Sequence, residues 1–335
     1  VEPQVGLGVS RDGQGRVEIF ILGAALSCSR STVAANVSYN EWERADAGRF
    51  TANRLVLPAQ PHFDAVAAFL CAHLLENGLA DDVRGAFLRT EPVIEMVFER
   101  SRVLGDTLVG LVGELLVLRA LVTMAPSRAT QAIDGWSGHI RSSRDFQLHN
   151  VGVEVKTTRG ATSRHQVSGV RQVEVGRGVD GTDESYLYLA SIGIEPVPDS
   201  EVGDNSWTLP SLVDNIIDQL RESTRDPNED IVGRLLVHIR DYGEGQGEPY
   251  DHREAHDRIA FSQPWRTKFA RFYDMTDDKI DLPKTADLDV FSMLDSHSVE
   301  FVVRLPAQVD GDLNPIAGLL AGARQVVGKA WPELT

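Results

Sequence analysis

The stretch Gly105–Met124, GDTLVGLVGELLVLRALVTM, constrains the fold more than any other part of this chain. It is apolar on nearly every side, so as a helix it needs core around it rather than along one stripe. Its length would allow a membrane crossing. Asp106, Glu114 and Arg119 interrupt it, however, and a buried helix of a globular domain is expected instead. Glu114 is the anomaly within it. A carboxylate in the middle of a buried helix is costly unless a hydrogen bond, a cation or a metal receives it.

The elements around this helix alternate in type and predict a mixed α/β protein. Short apolar runs at 16–23, 37–42 and 50–57, separated by Gly, Asp and Asn, read as strands before Pro58 and Pro61 punctuate the chain. From His62 the period becomes helical: Phe63, Val66, Phe69, Leu70, Leu74 and Leu75 share one face, and Asn77-Gly78 stops it. A second helix is expected over 82–100, broken or kinked at Glu91-Pro92. After Pro126 a loop through Trp136 and His139 leads into DFQLH, the turn NVG and VEVKTT, which reads as a β-hairpin. Alternation puts Glu154 and Lys156 on one face of its second strand, with Val153, Val155 and Thr157 on the other.

A strand over 185–194 and helices over 209–221 and 229–240 follow, the latter capped by DPNED. A Gly-rich loop at 241–249 then gives way to a polar, charged segment reaching about Asp287. A strand at 300–305 and a helix from Pro315 to about Lys329 close the chain. The expected layout is a β-rich region at 1–60, a helical connector at 61–100, a core at 101–195 and a C-terminal α/β extension at 196–335 packing on it.

Two cysteines, Cys28 and Cys71, are too few for a disulfide framework and read as reduced, buried thiols. No signal peptide or membrane span is expected, so the protein is placed in the cytoplasm. The chain lacks an initiator Met, so its numbering is expected to start inside a longer product. A net charge of −16 argues against coating nucleic acid through a global basic field. The charge is uneven, though. Between Ile140 and Gly178 lie seven cations (Arg141, Arg144, Lys156, Arg159, Arg164, Arg171 and Arg177) against Asp145, Glu154 and Glu174, a local balance of +4. A polyanion is expected to dock there.

That island contains Asp145, Glu154 and Lys156, spaced D-x8-E-x-K. Phosphodiester hydrolysis calls for a divalent cation to polarise phosphate and activate water. Mg²⁺ prefers hard oxygen ligands, usually one or two carboxylates with water and phosphate. An acid at the start of one strand, a second on its hairpin neighbour and a Lys on the same face supply that chemistry.

The arrangement resembles the PD-(D/E)xK nuclease superfamily, and WSGH (136–139), DFQL, VEVKTT and HQVSGVRQ (165–172) resemble its members among bacterial restriction and phage-defence genes. Arg144 stands where the motif has Pro. The resemblance implies a restriction-endonuclease-like α/β core, a mixed central sheet flanked by helices, over about residues 100–195. It also implies metal held by Asp145, Glu154 and the Val155 carbonyl, with Mg²⁺ as the cofactor and Mn²⁺ able to substitute. Lys156 would position or activate water, Glu114 would take a second metal or its water, and Gln172 would line the site. Arg159, Arg164 and Arg171, with His165 and Ser168, are the expected substrate contacts.

The expected function is a Mg²⁺-dependent DNA endonuclease of a restriction or phage-defence system. The alternative is a non-catalytic DNA-binding or assembly subunit of a multi-protein defence complex. DNA is the expected partner, together with other subunits in a homodimer or hetero-complex, and no membrane. The N-terminal β-rich part is expected to recognise DNA or a partner subunit. Other signals are weaker. His252-Arg-Glu-Ala-His256 has zinc-ligand spacing but lacks the Glu after its first His, so a solvated charged helix is expected there. No Gly-Lys-Ser/Thr phosphate loop and no G-x-S-x-G elbow occurs.

Overall fold

The computed structural model describes residues 6–13, 16–44, 48–58, 63–138, 142–178, 181–203, 205–223, 230–242, 250–258, 261–295 and 298–334. His139, Arg141, residues 226–229 of the expected cap and 243–249 of the Gly-rich loop lie outside them. The chain divides into two units, Val1–Asp106 and Thr107–Thr335.

In the first unit β1 (Leu7–Arg11), β2 (Val17–Leu22), β3 (Val37–Arg44) and β4 (Gly48–Val56) form an antiparallel sheet in the order β1-β2-β4-β3. The short helix α1 (Ser31–Ala34) precedes β3. Strand alternation turns Val17, Ile19 and Ile21 to one side, where they share a core with Leu55 of β4. Phe63, Ala67, Leu70 and Leu74 of α2 (Phe63–Glu76) complete it with Ala86, Phe87, Ile94 and Phe98 from the next helix. Phe20, on the opposite face, packs edge-on against Trp42 and Phe50.

The helices expected over 82–100 and 105–124 are one helix, α3 (Val83–Met124), with Pro92 inside it. Proline removes one hydrogen bond, to the carbonyl four residues back. That residue, Leu88, lies on an exposed side where water can take the missing donor's place. The neighbouring Glu91 is buried and ties the helix to the chain before α1, accepting from the Ser29 and Arg30 amides and the Ser29 hydroxyl.

The second unit is built on a five-stranded mixed sheet in the order β11-β9-β8-β6-β5. Its strands are β5 (Phe146–Leu148), β6 (Val151–Thr158), β8 (Tyr186–Pro196), β9 (Trp265–Asp274) and β11 (Ile316–Ala317). Only the β6–β8 pair is parallel. One face carries Val153 and Val155 of β6, Tyr188, Ala190, Ile192 and Ile194 of β8, and Phe272 of β9. It is covered by the apolar end of α3 and by α4 (Ala129–Asp134), α5 (Leu209–Ser223), α6 (Ile231–Asp241) and α9 (Leu319–Ala330). Asp230 caps α6 by accepting the Gly233 amide, as the DPNED reading expects. Two short helices, α7 (His252–Ala255) and α8 (Thr285–Leu288), flank β9 in sequence.

On the opposite face Leu187, Leu189 and Tyr273 meet a two-stranded layer, β7 (Ser163–Ser168) paired with β10 (Glu300–Leu305). The architecture is thus the mixed sheet flanked by helices of a restriction-endonuclease-like fold. Three expectations are corrected. Cys28 and Cys71 are half-buried rather than buried. The segment read as polar and charged contains β9, whose cations Arg266 and Lys268 meet Glu195 of β8 at its open end while Ala270, Phe272 and Tyr273 enter the core. The final helix starts at Leu319, because Ile316 and Ala317 pair with β9.

Candidate active site

The β5–β6 hairpin brings the D-x8-E-x-K residues together. Asp145 precedes β5, and its amide donates to the Val153 carbonyl at 3.1 Å, extending the ladder by one step. Its side chain then turns towards β6 and accepts the Val155 amide on Oδ2 at 2.6 Å. Because the N–H and C=O of a strand residue point to the same side, the Val155 carbonyl faces the Asp145 edge as well. Glu154 and Lys156 lie on the face opposite Val153 and Val155, and Lys156 Nζ is 2.8 Å from Glu154 Oε1. Gln172, in the short helical turn after β7, accepts from Lys156 Nζ at 3.0 Å and from the Ser168 amide at 3.0 Å.

Glu114 reaches the same place from α3. It is buried, and both its oxygens are occupied: Trp136 Nε1 donates to Oε2 at 2.7 Å, and the Tyr242 hydroxyl donates to Oε1 at 2.6 Å. Glycines make the room. A Cβ at Gly138 would sit 1.7 Å from Glu114 Oε2, and one at Gly110 would sit 2.9 Å from the Tyr242 hydroxyl oxygen. Tyr242 also stacks with Trp136, at 6.3 Å between ring centroids.

Burial raises the proton affinity of all three carboxyl groups, and neighbouring carboxylate charge adds to the rise for Glu114 and Asp145. Burial pushes Glu114 up to about 7, against the pull of its Tyr242 and Trp136 hydrogen bonds, and the charge of Glu154 adds to the rise. Burial and the charges of Glu114 and Glu154 hold Asp145 well above the usual carboxylate range. Glu154 is also raised by burial, with Lys156 and Arg144 opposing. Two buried acids on one hairpin, with the Val155 carbonyl on the Asp145 edge, are a hard-oxygen donor set of the kind a divalent cation takes. The residues present therefore fit a hard divalent cation.

With this geometry in view, comparison with known proteins gives one match. Residues 63–255, more than half of the chain, match the model of the family described as "Putative PD-(D/E)XK family member" (DUF4420). The chain belongs to this family. No curated protein and no solved structure matches it. The PD-(D/E)XK match covers α3, the β5–β6 hairpin, β7 and Tyr242, and so every group named above.

The structure does not bring all the expected residues of this PD-(D/E)XK chain to one surface. Arg159, Arg164, Ser168 and Arg171 are exposed, and Arg164 lies opposite Arg304 across the β7–β10 pair. His165 points inward instead, 5% exposed, with Nε2 2.7 Å from the Ser191 hydroxyl. Ser191 donates to Ser163, which also receives Arg271 and Tyr273.

Arg144, at the position of the motif's Pro, is 3% exposed and forms a two-pronged pair with Glu184, at 2.8 and 2.7 Å. It also donates to the Glu174 carbonyl at 2.7 Å and to the Arg171 carbonyl. It thereby fixes the segment that carries Gln172 beside the hairpin. Tyr242, Trp136 and Glu184 are the partners that sequence reasoning missed. No motif spacing announces them, since Tyr242 lies 128 residues from Glu114 and Glu184 lies 40 from Arg144.

Proposed function

We propose that this PD-(D/E)XK protein is a Mg²⁺-dependent DNA endonuclease, with Mn²⁺ able to substitute, serving restriction or phage defence. The observation that carries the reading is the hairpin that sets Asp145 on the Val155 amide and Glu154 on the Lys156 amine, with Glu114 close enough for its charge to act on Asp145. Asp145, Glu154 and the Val155 carbonyl would hold the ion. Bound there, it would supply polarisation of the phosphate and a water acidic enough to attack near neutral pH.

The chain's own residues do the positioning. Lys156 has three donors; Glu154 and Gln172 take two, which leaves one for a water or a phosphate oxygen. Glu114, clamped by Trp136 and Tyr242, presents a carboxyl that can hold a proton near pH 7 and would release it to water where a cation binds beside it. The exposed Arg159, Arg164 and Arg171 suit phosphate contacts along the strand. Cutting both strands of a duplex would take two such sites, from a homodimer or a partner subunit.

The test is cleavage of supercoiled circular and linear DNA with Mg²⁺ or Mn²⁺. The wild type is expected to open the circle, while Glu154→Ala and Lys156→Ala lose about 10²-fold or more in rate. Variants that cut as fast as wild type would refute the assignment. Metal-independent DNA binding with no cleavage by the wild type would favour a non-catalytic subunit of a defence complex.

A further inference from the structure

The His252-x3-His256 pair is not the free-standing charged helix that its sequence suggests. Both imidazoles converge on one carboxylate from another element. Asp214 of α5 places Oδ1 3.1 Å from His252 Nε2 and Oδ2 3.0 Å from His256 Nε2. The donor atoms of the three side chains lie within 4.8 Å of one another. Two nitrogens and an oxygen around a tetrahedral ion with bonds of about 2.0–2.1 Å stand roughly 3.3 Å apart, so little movement separates this cluster from a coordination sphere.

The surroundings suit a metal too. The Tyr250 hydroxyl lies 2.8 Å from His252 Nδ1, on the side of the ring away from Asp214. Tyr250 is 5% exposed and wedged edge-on against Phe261, so this contact is fixed by packing. A ligating imidazole ordinarily has such a partner on its other nitrogen, and it sets the tautomer and the ring plane. His256 and Asp214 are half-exposed, so an ion can enter and a fourth position stays open to water. The short helix α7 contributes only Ala255 to the buried core, so the Asp214 contacts are its main polar tie to α5.

We propose that Asp214, His252 and His256 form a second metal site, for a zinc-class transition ion, which fastens the segment after the Gly-rich loop to α5. Imidazole nitrogens select Zn²⁺, Co²⁺ and Ni²⁺ over Mg²⁺, whereas the all-oxygen Asp145–Glu154 set has the opposite preference. The two sites are therefore separable by metal type, and this one stands whether or not the chain cuts DNA.

Cobalt is the probe. Full-length protein stripped with chelator and titrated with Co²⁺ is expected to develop visible absorption bands of low-symmetry cobalt that saturate near one equivalent. Zn²⁺ should displace them and millimolar Mg²⁺ should not. The bands should be lost in His256→Ala and in Asp214→Ala. Tyr250→Phe, which keeps all three ligands, should weaken binding about 10-fold or more. They should persist in the Asp145→Asn/Glu154→Gln double variant. His256→Gln can still donate a hydrogen bond to Asp214 and guards against loss of folding; it too should lose cobalt. A wild type that binds neither Co²⁺ nor Zn²⁺ would overturn the proposal. So would bands that survive in both His256 variants or vanish in the double variant, because either result would mean a plain hydrogen-bonded His–Asp–His cluster.

Discussion

His165 shows how a single buried ring ties the site to the stability of the fold. Burial and the nearby Lys156 cation lower its pKa from 6.5 to about 4. In the unfolded chain the ring takes a proton as the pH drops below 6.5, while the native ring stays neutral until about 4. The stability this neutrality supports is therefore present above pH 6.5 and lost between 6.5 and 4, to a total of roughly 3 kcal/mol. Urea unfolding at pH 7.5 and 4.5 checks it: wild type should lose roughly 2–3 kcal/mol more than His165→Gln over that interval. Equal losses would mean that His165 is not held neutral. The same residue marks where sequence reading ran out. Asp145, Glu154, Lys156 and Glu114 could be picked out as candidates by type and spacing, since the proposed chemistry calls for acids and an amine on one hairpin and one helix. The sequence puts His165 with the exposed arginines unless 163–168 is read as a strand. Its alternation, with Ser163, His165 and Val167 inside and Arg164, Gln166 and Ser168 outside, decides the matter. Trp136 and Tyr242, which determine what Glu114 can do, are contacts of the folded chain and leave no local pattern.

Helix α3 illustrates at the element scale how packing overrides local preference. Gly105 and Gly113 both lie in its interior, where alanine is ordinarily better by about 1 kcal/mol. Around Gly105 there is open space, whereas a Cβ at Gly113 would fall 1.8 Å from Thr157 Oγ1 and 3.0 Å from Thr157 Cβ on β6. Gly105→Ala is thus expected to stabilise by up to about 1 kcal/mol. Gly113→Ala should destabilise by about 1–3 kcal/mol, because helix and strand must part. Chemical denaturation of the two variants makes the comparison, and equal stabilisation by both would show that α3 and β6 are not in close contact. Gly113 lies next to Glu114, so the same change should also lower any cleavage rate. Long periodic or alternating segments such as α2, α5, β8 and β10 were legible because one pattern governs each. The strand β9 was not: WRTKFARFYD puts three cations into a ten-residue strand whose first half is at the open end of the sheet. The continuity of α3 across Pro92 was equally hidden, since proline stops a helix by default and only the exposed position of Leu88 makes it tolerable here.

At the scale of the whole molecule the chain divides into two units, and the core of the first bears on what the N-terminal third can be asked to do. If residues 1–60 served only in recognition, their removal would spare folding and weaken targeting. The packing argues otherwise. Val17, Ile19, Ile21 and Leu55 form one wall of a core whose other wall is Phe63, Leu70 and Leu74 of α2 with Phe87 and Ile94 of α3, all of them 0–4% exposed. Each large side chain left without its partner wall forfeits about 1.5–3 kcal/mol of burial, more than a marginally stable unit can lose several times over. Glu91 would lose its donors in the same stroke, leaving a buried carboxylate without the Ser29 and Arg30 amides. Deleting residues 1–60 is therefore expected to expose α2 and the first half of α3, with strong binding of an apolar dye, rapid proteolysis between 63 and 98, and self-association. Neither core cluster of the second unit contains a residue of that sheet, so the unit's cooperative unfolding transition should survive. Two readouts separate the outcomes: dye binding with limited proteolysis for the first unit, and near-ultraviolet dichroism of the buried Trp136 for the second. A truncated protein that stays monodisperse, protease-resistant and dye-silent would show that the β-sheet is a dispensable module.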